Sequence, residues 1–139
     1  MTYPRTLIFS IHPKWADEIF AGRKVFELRR RPPALKAPTQ TLIYETAPRF
    51  RMRAICKFGP VISSSKSEVW KIAGNGSRIS HEEYKNYFAG TETAHAIVIR
   101  EVNLIGPWAL QYLRDNADFV PPQGWCYASE KLLSCLGVT

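Results

Sequence analysis

The densest chemistry in the chain lies in eight residues, Gly22-Arg-Lys-Val-Phe-Glu-Leu-Arg29. Lys24, Glu27 and Arg29 place an amine, a carboxylate and a guanidinium within six positions. Such a trio can recognise a nucleotide. Glu27 can accept hydrogen bonds from base N–H groups, while Lys24 and Arg29 meet carbonyl or phosphate oxygens. It can also serve a hydrolase, with Lys24 and Glu27 as the acid/base pair and the carboxylate acting toward water. The trio fits a structural ion-pair network as well, because Glu27 and Arg29 are one pleat apart on an extended chain.

The surrounding charge points to a polyanion. The 139 residues carry a net charge of +7. Between Arg23 and Lys57, ten basic residues face only Glu27 and Glu45, a net +8 in 35 residues. The remainder of the chain is close to neutral. Such concentration suggests a nucleic acid or another acidic partner, although a merely solubilising basic face would look similar. Arg49, Arg51 and Arg53 alternate with apolar residues and form one face of a strand. Arg29, Arg30 and Arg31 run consecutively, and Lys14 stands just upstream. Tyr44 lies beside these basic strands and is a candidate for stacking on a base, or for the core.

The elements that must position these groups can be read from periodicity. Residues 6–11 are nearly all apolar and predict a strand buried on both faces. His12-Pro13 starts a helix with Pro at its first position. Trp15, Ile19 and Phe20 give that helix an apolar face, Lys14 precedes Glu18 by four on the wet side, and Gly22 caps it. Residues 24–30 predict the next strand, 31–40 a Pro-rich loop and 41–45 another strand. Residues 49–58 alternate, with Phe50, Met52, Ala54, Cys56 and Phe58 on the buried face. Ser65-x-x-Glu68 and Ser80-x-x-Glu83 fit capping boxes and open two helices, separated at Gly74-Asn-Gly-Ser77. Residues 94–102 predict a central strand, Pro107 to Leu113 a short helix, 121–127 an extended segment and 130–136 a last helix. The expected architecture is one α+β domain over residues 1–139, with a mixed, curled sheet.

Several classes are excluded. No apolar run reaches the ~18 residues of a membrane span. No secretory signal is legible between Met1 and Phe20. Cys56, Cys126 and Cys135 form no CxxC pair, and Cys56 falls on an apolar face as inert core. A reducing cytoplasm is the expected compartment. His12, His81 and His95 stand in no metal-ligand spacing, and no dinucleotide or P-loop fingerprint occurs, so no metal and no cofactor are expected.

The spacing G-x-K-x-x-E-x-R at Gly22–Arg29 resembles the signature of the ASCH domain family, a branch of the PUA-like superfamily. Ile11–Gly22 is similar to the helix that leads into that signature, and Leu42–Glu45 to the strand that follows. Ser80, Glu83, Tyr87, Phe88 and Gly90, with the Pro121-Pro-Gln123 tail, resemble one group of single-domain members. The resemblance implies a small β-barrel with helices packed around it, and a cleft between barrel and first helix that gathers Lys24, Glu27 and Arg29. It also implies binding of RNA or other nucleic acid, with hydrolase members among the relatives. In a group resembling an acetylcytidine amidohydrolase, a threonine nucleophile stands where this chain has Glu27, and a carboxylate cannot replace that hydroxyl in acyl transfer. The expectation is therefore a nucleic-acid-binding module for RNA or single strands, holding one nucleotide or modified base, and more a binder than an enzyme. Its contacts would be Lys14, Lys24, Glu27, Arg29, Arg30, Arg31, Tyr44, Arg49, Arg51 and Arg53. The alternatives are a hydrolase of the same fold and a protein-interaction module acting as a transcriptional cofactor.

Overall fold

The computed structural model describes residues 5–139, so Met1–Pro4 of the expected domain lie outside the described residues. Six strands form one mixed sheet: β1 (Leu7–Ile11), β2 (Phe26–Leu28), β3 (Thr39–Glu45), β4 (Arg51–Ser65), β5 (Thr93–Ala109) and β6 (Trp125–Tyr127). Five helices accompany them: α1 (Pro13–Phe20), α2 (Lys66–Ser77), α3 (His81–Tyr87), α4 (Leu110–Ala117) and α5 (Glu130–Leu136). The strand order is β2-β5-β4-β3-β1-β6, with β1 and β3 parallel and all other pairs antiparallel. The α+β class is as expected. No pairing joins β2 to β6 among the described residues, so this sheet is open where a closed barrel was expected.

The sheet is covered on both sides. Leu7, Phe9, Ile11, Ile43, Ala54, Cys56 and Phe58 pack with Ala16 and Ile19 of α1. Ile8, Leu42, Tyr44 and Met52 pack on the other side against α4 and α5. A third cluster joins Leu28 and Ala96 to Val69 of α2, Tyr84 of α3 and Phe88 just beyond it. β1 is thus buried along its whole length, as its unbroken apolar run requires.

Helix α1 is the first wall of the site, and its ends follow local rules. His12 caps it, its Nδ1 accepting the Lys14 backbone N–H at 3.1 Å, and Pro13 opens the first turn. Gly22 at φ 77° turns the chain back toward β2. Glu18 meets Arg23 at 2.6 Å and Arg78 at 3.6 Å, and Lys14 lies instead over the Trp15 ring. The Ser80–Glu83 capping box forms in full, while at Ser65 the hydroxyl accepts the Glu68 N–H.

Four expectations about elements are corrected. The Gly74-Asn-Gly-Ser77 run belongs to α2 and is not a separator. A Cβ on Gly76 would come within 2.8 Å of Phe26 and Val25, so that glycine allows close approach of the helix to the β2 segment, while Gly74 makes room for the Trp70 ring of the same helix, which a Cβ would meet at 2.6 Å. β5 runs to Ala109 instead of ending at Val102, because its pairing with the long β4 continues past Pro107, and helix starts at Leu110. β2 is confined to Phe26–Leu28. Phe50 is 48% exposed at φ 44° in the turn before β4, outside the alternation that buries Met52.

Candidate functional site

A cleft of about 330 Å³ opens where the end of β1, the start of α1, β2 and α3 converge. That volume lies at the small end of ligand pockets. Lys24, Glu27 and Arg29 line it together with Trp15, Glu83 and Tyr87. The short β2 delivers the trio: it pairs with β5 through Glu27 and Ile97, and Val25 N–H bonds to Gly76 O at 2.8 Å.

Glu27 sits between the two cations. Lys24 Nζ lies 3.6 Å from its Oε1, and Arg29 Nη2 donates to its Oε2 at 3.1 Å. Lys24 is buried, donates to Ser77 O at 2.7 Å and approaches the Trp15 ring centroid at 5.2 Å. Arg29 also donates to Ser10 O at 3.2 Å, with its guanidinium over Phe9. Burial holds the Lys24 ammonium below the usual lysine range, and the Glu27 carboxylate opposes that shift. At the base of the cleft one carboxylate meets two cations, and Glu83 on the wall balances the charge of the lining. Such a lining suits a planar ligand that carries both hydrogen-bond donors and acceptors. The ion-pair reading and the cleft reading describe the same three side chains.

The other expected contacts divide. Lys14 is exposed beside Trp15, close enough to Glu83 to help lower its carboxyl pKa, although the accepted Ser80 backbone N–H is the main cause. Arg30 donates to Tyr87 O and Ala89 O at the end of α3. Arg31 is exposed, and its carbonyl accepts the Trp125 indole N–H. Tyr44 is corrected: it is 2% exposed and packs edge-on to Phe119 at 5.4 Å, so its ring offers no face to a base. The β3 pleat, irregular between Ile43 and Tyr44, turns it into the core under α4 and α5.

The arginine face of β4 is corrected from a free surface to a clamped one. Arg49 reaches Glu45 at 2.5 Å and Asp17 at 2.6 Å, Arg51 reaches Glu45 at 2.6 Å, and Arg53 donates to Ile105 O at 2.8 Å. Glu45 is fully buried.

Trp15, Glu83 and Tyr87, which also line the cleft, are not read as cleft residues from the sequence. Trp15 and Tyr87 read as apolar-face residues and Glu83 as half of a capping box. The exposure of Tyr87, 39%, is the only mark that separates it from the buried Tyr84 and Phe88 of its helix region.

Acid should weaken the fold through these carboxylates. The Arg49 hydrogen bond holds the Asp17 carboxyl below its ordinary range, Arg23 does the same for Glu18, and the Ser80 backbone N–H for Glu83. A depressed carboxyl contributes stability that is complete above its unfolded pKa and disappears as pH falls through the folded one. The melting temperature is therefore expected to be level from pH 7 to about 5 and to fall below about pH 4, where free carboxyls titrate. A melting temperature that does not fall with acid would contradict these pairings.

The fold is a mixed α+β sheet with an open cleft that gathers two cations and a carboxylate at one end. The chain belongs to the ASCH domain family, whose model matches residues 9–105. A Zymomonas mobilis protein described as an ASCH domain-containing ribonuclease is 31% identical over 117 residues, covering 84% of this chain and 79% of that protein. The crystal structure of ASCH from Zymomonas mobilis superposes with a TM-score of 0.88 at 27% identity, covering 96% of this chain and 94% of the other. The N-terminal domain of Staphylothermus marinus McrB shares the fold, with a TM-score of 0.59 at 10% identity over 98% and 94% of the two chains. No helix among the described residues is long and apolar enough to cross a membrane.

Proposed function

We propose that this chain acts as one RNA-binding domain of the PUA-like class, holding one nucleotide or base of a single strand in the cleft. The observation that carries the reading is the Lys24–Glu27–Arg29 trio at the base of a cavity walled by Trp15 and Tyr87. Trp15 and Tyr87 offer aromatic surface to a base, Glu27 accepts from base N–H groups, and Lys24 and Arg29 meet electron-rich oxygens. With Arg49, Arg51 and Arg53 engaged internally, phosphate attraction falls to Lys14 and the Arg29–Arg31 run. Three or four neutralised phosphates give a log–log salt slope of about −2 to −3 for single-stranded RNA. A titration of labelled RNA across ionic strengths measures it, and a slope near zero removes RNA from the reading.

A second reading, RNA hydrolysis in the same cleft, is favoured by the ribonuclease description of the Zymomonas mobilis relative. Glu27 then accepts a proton from the attacking hydroxyl and Lys24 serves as the acid, with its ammonium already destabilised by burial. The same RNA samples resolved by length decide between the readings: shortened RNA that Lys24→Met no longer produces supports hydrolysis, and intact RNA supports binding alone.

A further inference from the structure

A second opening adjoins the cleft. It has a volume of about 500 Å³ and is lined by Arg29, Arg30, Arg31, Tyr87, Gly124 and Trp125. Arg29 and Tyr87 line both cavities and form the partition between them. No acidic residue lines the second one.

The groove is held in shape by contacts of its own. Trp125 donates its indole N–H to Arg31 O at 3.1 Å and stacks on Phe9 at 6.4 Å between centroids. Arg30 ties the wall to α3, donating from its guanidinium to Tyr87 O and Ala89 O, while its backbone N–H donates to the Tyr87 hydroxyl. The Gly124 carbonyl accepts the Ser10 N–H at 3.0 Å, fixing the loop before β6 against β1.

Two sets of donors are left over. The Arg31 guanidinium is exposed and has no acceptor among the described residues. Arg29 spends Nη2 on Glu27 and Ser10 O, whereas its Nη1 makes no hydrogen bond there. A Cβ on Gly124 would meet only that Nη1, at 3.6 Å, so the absence of a side chain leaves this edge of Arg29 uncovered. Two guanidinium edges beside two aromatic side chains are the chemistry of a phosphodiester with a base next to it.

We infer that this groove takes the phosphodiester and the neighbouring nucleotide of a single-stranded RNA whose first nucleotide occupies the cleft. Arg29 joins the two subsites, with Nη2 orienting Glu27 toward the cleft and Nη1 facing the phosphate beyond it. The ligand is then an oligonucleotide and not a free nucleoside. The inference rests on the reading of the cleft as a nucleotide site.

The test titrates the full chain with the four nucleoside monophosphates and with a random-sequence RNA decamer. The decamer is expected to bind about tenfold or more tightly than the best mononucleotide, the worth of one added charged hydrogen bond. Arg31→Gln should remove most of that advantage and lower the salt slope of decamer binding by about 0.7, a larger loss than it causes for the mononucleotide, because Arg31 does not line the cleft. Its side chain is exposed, so the melting temperature should hold. Gly124→Val should weaken the decamer in the same way by covering Arg29. Equal affinities for decamer and mononucleotide would overturn the groove and keep the cleft. A decamer advantage untouched by both variants would also overturn it. Failure of both ligands to bind would overturn the groove and the nucleotide reading together.

Discussion

Changing Arg49 and Arg51 together to glutamine is expected to cost about 2–4 kcal/mol of stability and to lower the melting temperature by roughly 10 °C. From sequence these arginines sit on a wet face, where such changes are nearly silent. The structure reverses that expectation, because both guanidiniums converge on Glu45, which has no exposed surface. Removing them leaves a buried carboxylate without a counter-ion. The cost falls below the ~3–5 kcal/mol of a fully buried pair because Arg49 and Arg51 keep about a third of their side-chain surface in water. Adding Glu45→Gln in the same background should recover part of the loss by deleting the stranded charge. A thermal melt of the double and triple variants measures both effects. An unchanged melting temperature in the double variant would show that the clamp contributes nothing, and no recovery in the triple would show that stranded charge is not the cause.

What the sequence made legible was local. The apolar run of β1, the proline start of α1, the turn at Gly22 and the capping box at Ser80 depend on neighbours within a few residues, and each forms where its pattern lies. The motif Lys24, Glu27 and Arg29 does line one cleft, since its members lie on a single short strand and its flanks, although Ser77, Ser10 and β5 hold them there. Most of the departures are non-local. Gly76 looks like part of a break until the β2 segment is seen packed against it. Pro107 looks like a helix start until β4 supplies a pairing partner beyond it. Tyr44 looks like a partner for a base until α4 and α5 cover its side of the sheet. The arginine ladder looks free until Glu45, six residues upstream of Arg51, and Asp17, thirty-two upstream of Arg49, are brought beside it. Net charge can be counted from a sequence, but the charge available to a partner depends on which pairs the fold closes.

Glu27→Gln is expected to weaken nucleotide binding by about 1.5–3 kcal/mol, roughly ten- to 150-fold. The carboxylate sits at the base of the cleft, and an amide replaces only part of its acceptor capacity while presenting a donor to base N–H groups. The same change alters the fold's own electrostatics. Lys24 keeps Ser77 O but loses the charge that opposes its desolvation, so its pKa should fall further. Burial of a charged Lys24 weighs against folding below its folded pKa, and that penalty is relieved as pH rises toward the ordinary lysine range. In Glu27→Gln the relief should therefore begin at lower pH, and the stability deficit of the variant should be largest near neutrality and shrink in alkali. This separates a cleft residue from a merely structural one. If Glu27 only ties β2 to its neighbours, the variant loses stability while its affinity, measured well below its melting temperature, equals that of the unaltered chain. If Glu27 meets the ligand, affinity falls in the folded variant, and raising the pH restores stability without restoring binding. Lys24→Met supplies the complementary measurement: it keeps the stem packed beside Trp15, removes the ammonium and leaves Glu27 paired with Arg29 alone. Its affinity should fall as well. Undiminished binding in both folded variants would take the trio out of the ligand site and leave it as an internal ion-pair network.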